Sequence, residues 1–229
     1  MRALRRTLRD IPGVRRAFYR VRSALTKKAD PYALRLVDED AFRSWLHWMV
    51  HFHPPAGAYV EFGVFNGLTL SIAHEVMPRH VKLYGFDSFQ GVPKDVEGLY
   101  LEGMCKCDLP TTLRFLNERN VDWNRLHLIE GWFADTLTAA RQKSIGKASY
   151  VMVDCDLYES AALALTFVEP LIEDSAILIF DDWHGFQAAE RGMGERRAFE
   201  EFLVRFPHFD VIDLPAYSHQ AMAFKVTRR

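Results

Sequence analysis

Two pairs of closely spaced aspartates each follow a short apolar run that favours a β-strand. Asp154 and Asp156 follow one run, and Asp181 and Asp182 follow the next. If these runs are neighbouring parallel strands, their carboxyl ends place four carboxylates at one edge of a sheet. So many anions repel one another unless a cation lies among them, and their oxygens suit a hard divalent ion such as Mg²⁺. The pattern therefore predicts a metal site.

Each pair taken alone has a simpler explanation, because an aspartate often caps the N-terminus of a following helix. Helical patterns do follow both pairs. We favour the metal site because both pairs occur, and because ligands of α/β proteins bind at strand ends. His184 follows Asp182 by two residues. It is a candidate ligand or catalytic base, with a solvated loop residue as the alternative.

A turn with two glycines follows the first apolar run. Residues 61–69 read Glu-Phe-Gly-Val-Phe-Asn-Gly-Leu-Thr, and glycines allow a tight turn and a close approach of ligand to backbone. The next run ends at Asp87, 20 residues after Gly67, a distance at which an acid can bind both hydroxyls of an adenosine ribose. Because the pattern is not G-x-G-x-x-G, it suits a nucleoside without phosphates. A purely structural turn is the alternative.

Alternating strand and helix patterns must position these residues. The predicted strands are 58–62, 81–86, 126–129, 150–153, 176–180, 209–212 and 221–226. The predicted helices are 68–76, 111–118, 135–143, 160–171 and 195–206. This alternation predicts an α/β fold, with a mostly parallel sheet of seven strands and helices on both faces. Only a turn separates the last two runs, so we expect them to form an antiparallel hairpin at the sheet edge.

Length and composition exclude several classes of protein. The chain has 229 residues, of which 49% are hydrophobic and 26% charged, as expected for one globular domain. No apolar run approaches the ~18 residues that a membrane span needs. The net charge of −1 hides a split, since residues 1–30 carry +8 and the remainder carries −9. The acidic body argues against nucleic acid as a partner.

The first 40 residues are expected to form a basic arm, separate from a domain over residues 41–229. Apolar residues recur in the arm at spacings of three and four opposite an arginine-rich side, with an interruption at Pro12-Gly13. This pattern predicts one broken amphipathic helix or two short ones. Packing on the body or on a second subunit is the simplest role, so we expect a homo-oligomer. Peripheral contact with an anionic membrane and a lid over the substrate are the alternatives.

Cysteine usage indicates the compartment. Cys105, Cys107 and Cys155 are an odd number, which fits neither a disulfide framework nor a zinc site with four ligands. The arginine-rich N-terminus also lacks the apolar segment of a secretory signal. We therefore expect reduced thiols and a cytoplasmic location.

Several motifs resemble those of class I S-adenosylmethionine-dependent methyltransferases. Residues 61–69 are similar to the E-x-G-x-x-x-G-x-[ST] cofactor motif of the metal-dependent O-methyltransferases. Four later segments more specifically resemble the macrocin O-methyltransferase (TylF-type) family. They are Tyr-Gly-Phe-Asp-Ser-Phe-Gln-Gly (84–91), Gly-Trp-Phe-Ala-Asp-Thr-Leu (131–137), Asp-Cys-Asp-Leu-Tyr-Glu-Ser (154–160) and Asp-Asp-Trp (181–183). The resemblance covers about residues 55–226 and implies a Rossmann-like fold.

The resemblance also implies an activity and a set of site residues. It implies an enzyme that moves a methyl group from S-adenosylmethionine to a hydroxyl of a saccharide or glycosylated small molecule, with bound Mg²⁺. It assigns Asp154, Asp181 and Asp182 to the metal and Asp156 to the general base. The residues it places around the cofactor are Glu61, Gly63, Phe65, Asn66, Gly67, Thr69, Asp87, Ser88, Phe89, Gly131, Trp132, Phe133 and Asp154.

One difference from the catechol-methylating branch of the metal-dependent enzymes concerns the choice of acceptor. The catechol-methylating enzymes have a lysine base three residues after the first metal aspartate, where this chain has Leu157. A sugar hydroxyl is therefore favoured over a phenol, and a phenolic acceptor or a non-catalytic binding module remain alternatives. Trp45 and Trp48 precede the first strand and could stack on a sugar, although their helical spacing favours a place in the core. The long stretch 91–110 suggests a lid.

Overall fold

Seven strands form one sheet within residues 37–229, the part of the chain that this computed structural model describes. The strands are β1 (Ala58–Phe62), β2 (Leu83–Asp87), β3 (Leu126–Glu130), β4 (Ala148–Val153), β5 (Ser175–Phe180), β6 (Phe209–Leu214) and β7 (Met222–Arg228). Their order across the sheet is β3-β2-β1-β4-β5-β7-β6. Strands β1 to β5 run parallel, and β7 lies antiparallel to both β5 and β6. The predicted sheet and its terminal hairpin are confirmed.

Eight α-helices accompany the sheet in the described residues. They are α1 (Glu39–Phe52), α2 (Leu68–Val76), α3 (Leu109–Glu118), α4 (Phe133–Thr136), α5 (Ala139–Ile145), α6 (Tyr158–Val168), α7 (Ala188–Arg191) and α8 (Gly194–Arg205). Several begin at side-chain caps: Asp38 accepts from the Ala41 N–H at 3.0 Å, and Asp108 accepts from the Thr111 N–H at 2.8 Å. Such caps satisfy N–H groups that have no partner inside a helix.

Two predicted helices differ from the structure in instructive ways. The segment 135–143 is divided into α4 and α5, because the Thr138 hydroxyl accepts from the Arg141 N–H at 3.3 Å and starts a new helix. The segment 160–171 is helical only as far as Val168, and a 3₁₀ turn follows over Glu169–Leu171, which contains Pro170. Apolar periodicity reveals neither break, because the first lies at the Thr138 cap and the second coincides with Pro170.

The core lies on both faces of the sheet. Every residue of β1 is buried, as expected for the interior strand of a parallel sheet. Side chains alternate along it, so Val60 and Phe62 belong to the apolar cluster that includes α6 and α8, whereas Tyr59 belongs to the cluster with α1 and α2. Glu61, which lies between Val60 and Phe62 in the chain, is completely buried. A carboxyl group in such a place requires polar partners.

One row of residues explains why the strand ends can form a site. The register pairs Phe62 with both Phe86 and Val153, and it pairs Val153 with Phe180. These four residues therefore form a row across β2, β1, β4 and β5. The next residues in the chain form the rim of that row: Asp87, Gly63, Asp154 and Asp181.

Three predictions about the whole chain can be compared with the described residues. No helix within residues 37–229 is long and apolar enough to cross a membrane. The basic arm over residues 1–40 falls almost wholly outside the described part of the chain, so its helices, its boundary with a domain over 41–229 and its role stay predictions. Cys105, Cys107 and Cys155 are all free thiols.

Gly63 is required by the packing of the strand ends. It has a φ of +87°, and a Cβ built there would lie 1.7 Å from the Asp154 carbonyl oxygen. The glycine therefore lets the end of β1 approach the end of β4 more closely than any side chain would permit.

We expect Gly63→Ala to lower the free energy of unfolding by more than about 3 kcal/mol, because left-handed strain and a backbone clash add together. Gly98→Ala is the matched control, since Gly98 has a φ of +74° but nothing within 4 Å of its Cβ position. Strain alone should cost that variant about 1–2 kcal/mol. Urea denaturation measures both values. Equal losses in the two variants would contradict the close approach at Gly63.

Candidate active site at the carboxyl ends of the strands

Three aspartates at the ends of β4 and β5 form an acidic cluster. Asp154, Asp181 and Asp182 each place one carboxylate oxygen within 4.8 Å of the others. The backbone hydrogen bonds of the sheet continue into this rim. The Asp154 N–H donates to the Phe62 carbonyl at 2.9 Å, and the Asp181 N–H donates to the Val153 carbonyl at 3.1 Å. Backbone pairing therefore sets the separation of the carboxylates.

Asp156 joins the cluster through a sharp turn after β4. Its φ is +64°, a left-handed conformation that is uncommon for a residue with a side chain. Burial raises the pKa of its carboxyl group on balance, although the polar groups of Asp182, Tyr100 and Cys105, which it faces, lower that pKa. Asp156 therefore belongs to the same set of interacting acids as Asp154, Asp181 and Asp182, because its negative charge, in addition to burial, raises the pKa of each of them.

Burial and mutual repulsion make this cluster costly when no cation is present. Burial, followed by the negative charges of neighbouring acids, raises the pKa of both Asp154 and Asp182 well above the usual range. Burial also raises the pKa of Asp181 to about 6. A bound cation would reverse these shifts, and three half-buried carboxylates offer the oxygen ligands that a hard ion such as Mg²⁺ prefers. The residues present therefore fit a divalent cation.

Two buried side chains that the sequence did not suggest form hydrogen bonds with residues of the cluster. Glu195, in the first turn of α8, accepts a hydrogen bond from the Asp182 N–H at 3.1 Å. Its other oxygen, Oε1, is buried without a hydrogen-bond partner among the described residues. The hydroxyl of Tyr217, from the turn between β6 and β7, donates to Asp181 Oδ1. Neither residue carries a sequence signal, since they lie 13 and 36 residues from their partners.

Glu61 is held in the core by two hydroxyl groups. The Tyr59 hydroxyl donates to Glu61 Oε2 at 2.6 Å, and the Thr69 hydroxyl donates to Oε1 at 2.9 Å. Complete burial raises the pKa of Glu61 to about 8 despite these bonds. A positively charged group beside Glu61 would favour its ionised form, so this side chain fits a cationic ligand.

Asp87, at the end of β2, ties down the glycine turn. Its Oδ2 atom accepts from the N–H groups of Val64 and Phe65, each at 2.8 Å. Its Oδ1 atom accepts from the Phe89 N–H at 2.6 Å, which leaves that oxygen one further acceptor position. Asp87 can therefore shape the turn and still accept a hydrogen bond from a ligand hydroxyl.

The other predicted cofactor residues of the turn also fix its backbone. Gly67 has a φ of +89° and begins α2, and the Asn66 side chain accepts from the Leu68 N–H at 3.0 Å. The Phe65 carbonyl accepts from the Thr112 hydroxyl at 2.6 Å. The turn is thus organised before any ligand arrives, as a binding loop requires.

Residues after β2 and β3 border the same end of the sheet. Ser88 and Phe89 are buried directly after Asp87. The Gly131 N–H donates to the Asp87 carbonyl at 2.9 Å, so the segment after β3 adjoins the end of β2. Trp132 and Phe133 in that segment are half-buried, and the Phe133 ring contacts that of Phe62 with centroids 5.7 Å apart. The structure therefore brings the predicted cofactor residues to one rim.

The side chains of His184, Trp183 and Trp45 contact residues other than the aspartates of the acidic cluster. The ring of His184 pairs with Glu190, with Nδ1 and Oε1 3.0 Å apart, rather than with an aspartate of the cluster. Trp183 is buried, and its ring packs against Phe180 and Phe224. Trp45 is likewise buried, so the structure supports its place in the core over a role in stacking on a sugar. The catalytic role of His184 stays a prediction.

The loop between β2 and α3 folds over the acidic cluster. Tyr100 and Cys105 from this loop lie beside Asp156. Burial, followed by the negative charges of Asp156 and Asp154, raises the pKa of Cys105 to about 12. Glu97 fastens the loop to α8, because its carboxylate accepts from the Gly194 N–H at 2.8 Å and pairs with Arg197 at 3.2 Å. The cluster is thereby partly enclosed.

Comparison with known sequences gives a family and two curated relatives. Residues 49–212 match the family model described as macrocin-O-methyltransferase (TylF). Demethyldecarbamoylnovobiocin O-methyltransferase of Streptomyces niveus is 31% identical over 159 residues, which is 62% of this chain and 58% of that protein. The 8-demethyl-8-(2,3-dimethoxy-alpha-L-rhamnosyl)-tetracenomycin-C 4'-O-methyltransferase of Streptomyces olivaceus is 26% identical over 141 residues, or 56% and 53% of the two chains. The chain spans a little over half the length of these relatives.

Comparison with solved structures concerns the fold. The O-methyltransferase NovP superposes with a TM-score of 0.64 at 23% identity, over 83% of this chain and 79% of that chain. The calicheamicin methyltransferase CalS11 superposes with a TM-score of 0.64 at 20% identity, over 96% and 93%. These likenesses confirm the Rossmann-like class I methyltransferase fold.

We expect Glu61 by itself to lower the stability of the protein, without cofactor and in EDTA, by about 2–3 kcal/mol from pH 6 to pH 8. The ordinary pKa of Glu61 is 4.5 and its pKa in the folded protein is about 8. Between these values the folded protein binds more protons than the unfolded chain, so stability falls as the pH rises.

Urea denaturation at several pH values tests this expectation with Glu61→Gln, which should reduce the slope. Glu200→Gln, at an exposed position of α8, is the control and should leave the slope unchanged. An identical slope in the wild type and in Glu61→Gln would show that Glu61 does not contribute.

Proposed function

The chain belongs to the macrocin O-methyltransferase (TylF) family, and on that basis we propose that it transfers a methyl group from S-adenosylmethionine to a sugar hydroxyl with the aid of Mg²⁺. One observation carries the proposal. Asp154, Asp181 and Asp182 converge within 4.8 Å at the same rim as the glycine turn. A cation and a cofactor bound there would be neighbours.

The glycine turn supports binding of S-adenosylmethionine. This cofactor carries positive charge on its amino group and its sulfonium, which suits the buried carboxyl group of Glu61. Asp87 Oδ1 offers an acceptor for a ribose hydroxyl. The half-buried Trp132 and Phe133 offer apolar surface for the adenine. In this proposal Gly63, Gly67 and Thr69 surround the methionine portion.

The acidic cluster supports activation of the acceptor. When bound, S-adenosylmethionine supplies an electrophilic methyl group and Mg²⁺ supplies positive charge that lowers the pKa of a nearby hydroxyl. Asp154, Asp181 and Asp182 would hold the ion, and Asp156 would accept the hydroxyl proton as general base. Transfer would join the acceptor oxygen to the methyl carbon and release S-adenosylhomocysteine, and Asp156 would retain the hydroxyl proton.

A sugar hydroxyl is the acceptor that we propose. One curated relative is named for a rhamnosyl-bearing tetracenomycin, and the apo structure of CalS11 is described as a TDP-rhamnose 3'-O-methyltransferase. The position three residues after Asp154 is the buried Leu157, so this chain lacks a lysine base there. An aliphatic hydroxyl therefore depends on the cation and on Asp156 for loss of its proton.

We expect mass spectrometry of a saccharide and glycoside panel, incubated with S-adenosylmethionine and Mg²⁺, to detect products heavier by one methyl group. Excess EDTA should abolish turnover while S-adenosylhomocysteine still binds, as calorimetry would show, because Asp154 is the one residue assigned to both the cofactor and the cation. Full turnover in EDTA would contradict the role of the metal. Methylation of phenols alone in a parallel panel would contradict the sugar acceptor.

We expect Asp156→Asn to lower kcat by about 10²–10⁴-fold, the usual contribution of a general base. The amide keeps the size of the side chain and can still form hydrogen bonds, so Mg²⁺ and cofactor should bind within a few-fold of wild type. Asp213→Asn, on the exposed side of β6, is the matched control and should be fully active. A near-normal kcat for Asp156→Asn would assign the base to another group.

A further inference from the structure

Tyr217 contacts the acidic cluster but takes no part in the chemical step of the proposed reaction. It belongs to the turn between β6 and β7, and its side chain is buried. Its hydroxyl donates to Oδ1 of Asp181. One oxygen of that carboxylate is therefore engaged by the protein, and the other is left for a ligand.

The ring of Tyr217 is itself held by helix α1. It meets Phe42 edge-on, with centroids 4.9 Å apart, and it packs against Trp45 at 5.6 Å. The indole N–H of Trp45 donates to the Pro215 carbonyl at 2.5 Å, which fastens the same turn a second time. Two rings and one hydrogen bond thus leave the phenol little freedom to move.

The turn between β6 and β7 is also held by hydrogen bonds within it and by one to the segment after β5. The Ser218 hydroxyl accepts from the N–H groups of Gln220 and Ala221, at 3.2 and 3.0 Å. The Gln220 carbonyl accepts from the His184 N–H at 2.9 Å, only two residues after Asp182. The turn that carries Tyr217 is therefore connected to the segment that carries Asp181 and Asp182.

We propose that Tyr217 is a positioning residue that orients the Asp181 carboxylate for a divalent cation, with α1 as the support that fixes Tyr217. This inference rests on the proposed metal-dependent function. Its physical basis is that a carboxylate with one oxygen held by a rigid donor loses less freedom when the other oxygen binds an ion. Outer hydrogen bonds of this kind typically change metal affinity by about 10- to 100-fold.

The chain offers a matched control in Tyr150. This tyrosine is also buried, but its hydroxyl donates to the His53 carbonyl at 2.7 Å rather than to an aspartate. Tyr217→Phe and Tyr150→Phe each remove one buried hydroxyl and keep the ring. Only the first removes a donor to the acidic cluster.

The test is Mn²⁺ binding to the full-length protein without cofactor, followed by electron paramagnetic resonance. We expect Tyr217→Phe to bind Mn²⁺ about 10- to 100-fold more weakly than wild type, and Tyr150→Phe to remain within about threefold. S-adenosylhomocysteine should bind both variants like wild type. In turnover, Tyr217→Phe should need more Mg²⁺ for half-maximal rate and should recover most of kcat at saturating Mg²⁺.

Failure of the metal function and failure of the role of Tyr217 give different results. If wild type binds no Mn²⁺, the proposed metal function fails, whatever the variants do. If wild type binds Mn²⁺ and Tyr217→Phe binds it equally well, or if Tyr150→Phe is weakened as much, the role of Tyr217 is wrong. Should Tyr217→Phe fail to fold, as thermal melting would show, Trp45→Phe decides instead. It removes the bond to Pro215 and should weaken Mn²⁺ binding more than Tyr150→Phe does.

Discussion

The concentration of half-buried carboxyl groups at one edge of the sheet is the constraint on which the rest of the structure depends. Parallel pairing of β4 with β5 brings Asp154 and Asp181 side by side, and the turns that follow add Asp156 and Asp182. The surrounding elements supply hydrogen-bond donors, such as the Tyr217 hydroxyl, that reduce the repulsion without removing it. A divalent cation among the carboxylates would offset the remaining repulsion.

The same register joins the acidic cluster to the glycine turn. Gly63 allows the end of β1 to contact the Asp154 carbonyl, and Asp87 holds the turn from the other side through Val64 and Phe65. A nucleoside bound over β1, β2 and β3 would therefore lie beside a cation bound over β4 and β5. In the proposed reaction this arrangement would align the methyl donor with the activated hydroxyl, as methyl transfer requires.

Much of the fold could be predicted from the sequence because its signals are local. The bounds of β1 and α2 match the predicted segments 58–62 and 68–76, since glycines and a change of periodicity mark their ends. The division of the predicted helix 135–143 could not be foreseen in that way. It depends on a hydrogen bond from the Arg141 N–H to the Thr138 hydroxyl, which apolar periodicity does not reveal.

The sequence by itself determined which acids follow the strands, because a residue next to a strand end must lie at the rim wherever that strand pairs. Tertiary structure alone decided which distant side chains support them. Neighbouring residues in the sequence do not indicate what the hydroxyl of Tyr217 or Tyr150 contacts, yet of the two only Tyr217 donates to an aspartate of the cluster. His184, although adjacent to the acids in sequence, pairs with Glu190. Side-chain contacts across the fold depend on how the elements pack, and spacing along the chain does not encode that packing.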